Sequence, residues 1–341
     1  MAHLRLRAIV DAQRGGAGVS SGAIGGRSDV EVSEFGQAVG LVIDDVAWVL
    51  VTGRYERSLG PALMWALRKN AISLKLLLSE RGGELARIAR HFDFAIEVFE
   101  LDAAGVAHVA APKSAEKIEV SVADEMFAEF IKSAGAEVVR EYGVISGEVC
   151  GLEVCRVVHA TSAGEIDGSS ESELEIGVGA HDRETFKLLH GRTATIESLR
   201  KVVAEVAARR AVGAQVHPLN QLARERMLRH YVCLSPQLVG AKSLQPVQPP
   251  IARTNLKDVV PCCAVGVSLT GEKMVVIFNV GVDPDVVSFG ADARGQINAA
   301  ADLVFAMPTR DIMPAVEQIA QMLRRPARFV GVDVISSSFK P

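Results

Sequence analysis

Ala38-Val39-Gly40-Leu41-Val42-Ile43-Asp44-Asp45-Val46-Ala47-Trp48-Val49-Leu50-Val51-Thr52 is the stretch on which the fold class turns. It reads as two apolar strands, 38–43 and 47–52, folded back on each other at Asp44-Asp45. Beyond it the periodicity alternates between helix and strand: a helix over 58–69, a strand over 72–78, a helix over 84–92 and a strand over 95–101. That ββαβαβ order predicts a mixed α/β chain. About eighty residues at the other end read the same way. Strands at 263–269 and 273–279 flank Thr270-Gly271-Glu272, and a helix (284–296), a strand (302–306), a helix (314–323) and a strand (328–334) follow. Residue identity between the two stretches is slight, so the expected internal repeat is one of pattern.

The middle is different. An amphipathic helix over 122–133 carries Met126, Phe127, Phe130 and Ile131 at helical spacing. Strands at 137–145, 151–158 and 174–178 follow it, then helices at 183–190, 196–210 and 219–232. The expected organisation is therefore a ββαβαβ module over 1–112, a central αβββα domain over 113–235, a linker over 236–261 and a second ββαβαβ module over 262–341. A strand over 1–10 and a glycine-rich loop over 14–27 precede the first module. Pro236, Pro246, Pro249, Pro250 and Pro261 predict a semi-extended connector between the last two parts.

With 341 residues the chain is too long for one core. Aromatics make up only 5%, too few for a surface that stacks single-stranded bases. A net charge of −4 gives no global attraction to nucleic acid or anionic lipid. No apolar run approaches the ~20 residues that span a bilayer, and the first ten residues lack the apolar core of an export signal. The expectation is a soluble cytoplasmic protein with no membrane partner. Of the five cysteines, Cys150, Cys155, Cys262 and Cys263 lie in Val/Leu-rich strand candidates and read as reduced core residues. No CxxC pair supports a zinc site.

Charge is sharply segregated. Between Glu137 and Glu184 eleven acids face three arginines, a net of −8, whereas between Arg192 and His230 eight bases face three glutamates, a net of +5. The favoured reading is that the two blocks neutralise each other within one domain. Alternatively, acidic strands beside basic helices suit a metal site next to a phosphate-binding surface. Glu173 and Glu175 alternate with Leu174 and Ile176 on one strand, and Glu153 lies between Leu152 and Val154 on another. Two neighbouring strands with inward carboxylates predict a site for Mg²⁺ or Mn²⁺, hard ions that take oxygen ligands.

The order helix, three strands, helix over 122–190, with Glu153 and Glu175 on the second and third strands, weakly resembles the core of PD-(D/E)XK nucleases. The resemblance implies metal-dependent phosphoester hydrolysis. Two residues after each glutamate stand Cys155 and Gly177, where that family carries a lysine to orient the attacking water.

Gly177-Val178-Gly179-Ala180-His181-Asp182 closes a strand and opens a helix, and glycines there let a ligand approach the backbone. Asp182 reads as a helix cap and His181 as the poised side chain. Other apparent motifs fail. Gly16 to Gly22 lacks the spacing of a dinucleotide-binding loop, and Asp283-Pro284-Asp285 reads as N-cap, first-turn proline and first-turn acid rather than as a metal cluster.

Three functional classes follow. The favoured one is a binding or assembly protein without catalytic activity, whose end modules contact another protein or a second copy. The second is a Mg²⁺/Mn²⁺-dependent phosphoester hydrolase with Glu153 and Glu175 as metal ligands, His181 or Asp182 assisting, and Arg224 and Arg226 on phosphate. Only this class brings nucleic acid in as a partner. The third is an enzyme on a small anionic metabolite held at Gly177, Gly179 and His181.

Overall fold

A computed structural model describes residues 1–15, 32–160, 171–190, 195–215 and 217–333. In chain order the elements are helix α1 (Ala2–Gly15), strands β1 (Ser33–Phe35), β2 (Ala38–Ile43) and β3 (Val46–Val51), α2 (Leu59–Arg68), β4 (Ser73–Leu78), α3 (Gly82–Ala89), β5 (Ala95–Leu101) and β6 (Ala107–Val109). Next come α4 (Val122–Ser133), β7 (Glu137–Glu141), β8 (Val144–Val149), β9 (Leu152–Ala160), β10 (Glu171–Ile176), α5 (Gly179–His190), α6 (Ile196–Arg210) and α7 (Arg224–Leu234). The chain ends with β11 (Ala241–Val247), β12 (Cys262–Ser268), β13 (Lys273–Phe278), α8 (Val286–Ile297), β14 (Asp302–Met307), α9 (Pro314–Gln321) and β15 (Ala327–Gly331). The protein is mixed α/β. Both terminal segments show the succession β–β–β–α–β–α–β, one strand more than the expected ββαβαβ. No described helix is long and apolar enough to cross a membrane.

Internal contacts divide the chain into two compact units, and the division is not collinear with the sequence. The first holds Met1–Ala115, Val282–Ala299 and Met313–Ala327. The second holds Glu116–Gly281, Ala300–Ile312 and Arg328–Pro341. Helices α8 and α9 thus belong to the first unit, and the strands that precede and follow them to the second. Beyond Gly15, the glycine-rich loop expected at 14–27 lies outside the described residues. So do the motif at Gly16 to Gly22 and Glu165, Asp167 and Arg192 of the charge blocks.

In the first unit one six-stranded sheet runs β1 to β6 in order. The opening hairpin pairs as read, Ile43 opposite Val46, with Asp44 and Asp45 both at positive φ as a tight two-residue turn requires. Parallel β4 and β5 follow. Leu6, Ile9 and Val10 of α1 are buried with Leu41, Trp48, Leu50 and Phe99 of the sheet. The alternation of His3 to Arg7 favours a strand over 1–10, and the structure has a helix there instead. The spacing of Leu6, Ile9 and Val10 is i, i+3, i+4, so a helix buries all three on one side and leaves Leu4 71% exposed.

Helix α8 starts at Val286, later than expected, with Asp285 as its N-cap. The Asp285 carboxylate accepts from the Gly60 amide at 2.7 Å, and the Ser288 hydroxyl lies 3.2 Å away. Gly60 is required there, since a Cβ would come within 2.7 Å of the Asp285 nitrogen. Arg57 binds Asp283 at 2.5 Å. Burial, with the neighbouring Asp283 charge second, pushes the Asp285 carboxyl up to about 7.

The folded state therefore holds this proton between the ordinary carboxyl range and pH 7, and stability falls as pH rises through that window. Asp285→Asn keeps the acceptor for Gly60 and removes the buried charge. Thermal unfolding should show the variant more stable than wild type by roughly 2 kcal/mol at pH 8, with the gain vanishing near pH 4. Equal stability at pH 8 would contradict the burial argument.

The second unit contains two sheets: antiparallel β10-β9-β8-β7, and β11-β12-β13-β14-β15. On the first, Ile145, Val149, Leu152 and Leu174 pack with Ile131 of α4 and Leu199 and Val206 of α6. On the second, Met274, Val276, Phe278 and Val304 pack with Met227, Leu228 and Val232 of α7. Strand β11 lies within the stretch expected to be an unpacked connector. Its residues pair antiparallel with β12 from Ala241↔Ser268 to Val247↔Cys263. It is an edge strand, where Pro246 can leave one donor position empty without breaking a ladder on both sides.

Candidate functional site

Register places three glutamates in a row across the four-stranded sheet. Glu137 of β7 is opposite Glu148 of β8, and Glu148 is opposite Glu153 of β9. Like charges facing each other across strands are destabilising unless cations answer them. Each is answered. Helix α7 presents Arg226, Arg229 and His230 at i, i+3 and i+4, one helical face, opposite the Met227, Leu228 and Val232 side that enters the apolar core. His230 Nδ1 lies 3.3 Å from Glu137 Oε2. Arg229 donates to Glu148 at 2.8 Å, and Arg226 bridges Glu148 and Glu141. Arg156 and Arg183 donate to Glu153 at 2.9 Å each. The acidic and basic blocks therefore do meet within one unit.

This network is deep. Glu148 and Arg229 are each 1% exposed. Burial alone would raise the Glu148 carboxyl, but Arg226 and Arg229 more than offset it and hold the group at about 2. The same acids push Arg229 and Arg226 above the ordinary guanidinium range, against the cost of burial.

Beside it lies a cavity of about 110 Å³. Glu141, Tyr142, Ser146, Arg156, Arg226 and Arg253 are among the residues that line it. Ser146 and Arg156 are directly opposite each other on β8 and β9. Tyr142 sits in the two-residue turn between β7 and β8 at φ +53. Its amide donates to Gln248 Oε1 at 2.6 Å and its hydroxyl to the Pro249 carbonyl at 2.5 Å. Those two bonds tie down the chain that carries Arg253. Arg253 is half-buried, and its enclosed Nη1 has no hydrogen-bond partner. Burial first, and the Arg226 charge second, lower its basicity. A cation with an enclosed donor, pressed by another cation, is a place where an anion is welcome.

The residues singled out from sequence are distributed as follows. Glu153 and Glu175 converge on Arg183, whose Nη1 is 2.9 Å from Glu153 and whose Nε is 3.4 Å from Glu175. Lys187 pairs with both Glu173 and Glu175. Among the described residues no group of three or more His, Cys, Asp or Glu is placed to share a metal ion. His181 and Asp182 are exposed in the first turn of α5, where Asp182 accepts from the Val178 amide at 2.6 Å. Gly177, at φ +140, closes against the backbone of Arg183, and a Cβ there would lie 2.8 Å from its nitrogen. Gly179, at φ +80, faces Leu256. Arg224 is half-buried at the start of α7. Of these residues, Glu153 and Arg226 line the cavity.

Sequence reasoning missed Arg253, because one arginine in a proline-rich stretch carries no pattern. It also missed a second polar cluster. Asp124 of α4, 1% exposed, accepts from the Ser172 hydroxyl at 2.6 Å and lies 3.4 Å from His159. The serine proton is thereby committed to the carboxylate, so this trio is a polar clasp between α4 and the sheet rather than an activated hydroxyl.

No family model, no curated protein and no solved structure matches the chain.

Proposed function

We propose that the protein is a binding protein whose second unit takes the anionic group of a small ligand in the cavity beneath Tyr142. The observation that carries this reading is the enclosed Nη1 of Arg253, left without a partner beside Arg156 and Arg226. Unpaired buried donors are costly, and an oxyanion satisfies one directly. A volume of about 110 Å³ suits a phosphate, sulfate or carboxylate group. It is well below the roughly 300–1,000 Å³ that encloses a drug-sized molecule. The rest of such a ligand lies outside the cavity.

The metal reading of Glu153 and Glu175 competes with this one and requires Arg183 to give way to an ion. Titration separates them. Inorganic phosphate should raise the melting temperature of the wild type beyond what chloride does at matched ionic strength, approaching about 2.7 kcal/mol of stabilisation at one hundred times the dissociation constant. Arg253→Met, folded by circular dichroism, should lose that increment. If phosphate gives no increment, or Arg253→Met keeps it, the cavity is not an anion site. A shift with Mn²⁺ that Glu175→Gln abolishes would favour the hydrolase instead.

A further inference from the structure

Two ion-pair clusters meet at the cavity, and each is neutral within itself. In the first, Glu141 and Glu148 face Arg226 and Arg229, and all four pairings between them are made. In the second, Glu153, Glu173 and Glu175 face Arg156, Arg183 and Lys187. Glu141 and Arg226 bring the first cluster to the cavity wall, and Glu153 and Arg156 bring the second. Arg253 lines the same cavity and, among the described residues, pairs with neither cluster. The wall therefore carries one positive charge that no carboxylate answers.

Donors are as sparse as charge. Arg226 commits Nη1 to Glu148 and Nη2 to Glu141. Arg156 commits Nε, at 3.1 Å, and Nη2, at 2.9 Å, to Glu153. Tyr142 directs its amide to Gln248 and its hydroxyl to Pro249. Arg253 Nη1 is enclosed and has no such commitment. A doubly charged oxyanion stripped of water needs a second cation and several donors, whereas a carboxylate is satisfied by one guanidinium.

Resting on the anion reading above, we infer that the cavity takes a singly charged oxyanion, the carboxylate of an organic acid, and rejects dianions such as sulfate and phosphate monoesters. One such group brings the enclosed charge to zero. A second negative charge in the same space has no cation to meet it and stands against Glu141 and Glu153. A charge ~4–6 Å away moves a carboxyl by about one to three pKa units, so a second ligand charge at that range costs about tenfold or more in affinity. The two wall carboxylates thus act against the wrong ligand as much as Arg253 acts for the right one.

Methanesulfonate and sulfate isolate the charge, being tetrahedral and similar in size but singly and doubly charged. Acetate tests the carboxylate itself. Each is titrated into the full chain by isothermal calorimetry at pH 7.5, with chloride held constant and ionic strength matched. Acetate and methanesulfonate should bind at least about tenfold more tightly than sulfate. Inorganic phosphate loses its second proton between pH 6 and pH 8 and should weaken several-fold over that range, while acetate, whose charge is constant there, should not. Glu153→Gln removes a wall charge and should narrow the deficit of sulfate by about tenfold.

Sulfate binding as tightly as methanesulfonate, with both lost in Arg253→Met, would overturn the charge limit and leave the anion reading intact. The same holds if Glu153→Gln binds its anions but keeps the wild-type ratio, since size would then set the selectivity. Methanesulfonate binding without acetate would overturn the carboxylate. No saturable binding of any of the four anions would remove the anion reading itself, and this inference with it. The wild-type constants and the phosphate profile need no variant that folds.

Discussion

Arg226→Met is expected to cost the second unit about 3–5 kcal/mol at pH 7, among the largest losses any one side chain of this protein can cause. Glu148 is fully enclosed and its charge is tolerated because two guanidinium groups face it. Removing one leaves a buried carboxylate with half its compensation, and Glu141 loses its shorter partner as well. The pH dependence should change with it. In the wild type the Glu148 carboxyl sits at about 2, below its ordinary value near 4.5. Its contribution is present in full above that ordinary value and is lost as pH falls from there towards 2. In Arg226→Met this acid-labile part shrinks, so wild type and variant converge as pH drops.

Far-UV circular dichroism in urea is the measurement, because both tryptophans, Trp48 and Trp65, belong to the first unit and do not report on the second. The double variant Arg226→Met/Glu148→Met should recover at least half of the loss, since it buries no uncompensated charge. A single-variant loss below about 1 kcal/mol, the range of exposed ion pairs, would mean that water already screens the network.

What the chain discloses without a structure depends on how many residues carry each signal. The hairpin at Asp44-Asp45 is readable because two apolar runs and two turn residues agree, and the helix–strand alternation after it spans whole elements. Helix α1 is easily misread because His3 to Arg7 fits a period of two as well as of 3.6, and only the sheet that Leu6, Ile9 and Val10 cover decides between them. Strand β11 is hidden by Pro246, which is tolerated because its strand is an edge. The mutual neutralisation of the charge blocks is legible in bulk. Which arginine meets which glutamate depends on strand register and on the face α7 presents, and neither is local. Glu153 and Glu175 do converge, but on Arg183, a residue eight positions beyond Glu175 that no spacing rule singles out. Cys150 sits in an apolar stretch and reads as core, but register places it, half-buried, in the two-residue turn between β8 and β9.

Gly151→Ala, at the tip of the β8–β9 hairpin, should be among the most damaging of the small substitutions, because it joins a left-handed backbone to a backbone clash. Gly151 has φ +74, where an alanine costs about 1–2 kcal/mol by itself. Its Cβ would also overlap the Arg226 carbonyl and come within 2.5 Å of the Met227 nitrogen, in the first turn of α7. Backbone cannot yield as a flexible side chain does, so the hairpin tip and the helix must separate, which adds about 1–3 kcal/mol. Gly271→Ala is the control. It lies in the same unit at φ +96, with no atom within 4 Å of the place its methyl group would take, so it carries the conformational cost alone, about 1 kcal/mol.

The difference between the two variants, read from urea unfolding by circular dichroism, measures the contact between hairpin and α7. Equal losses of stability in the two variants would show that α7 gives way without cost.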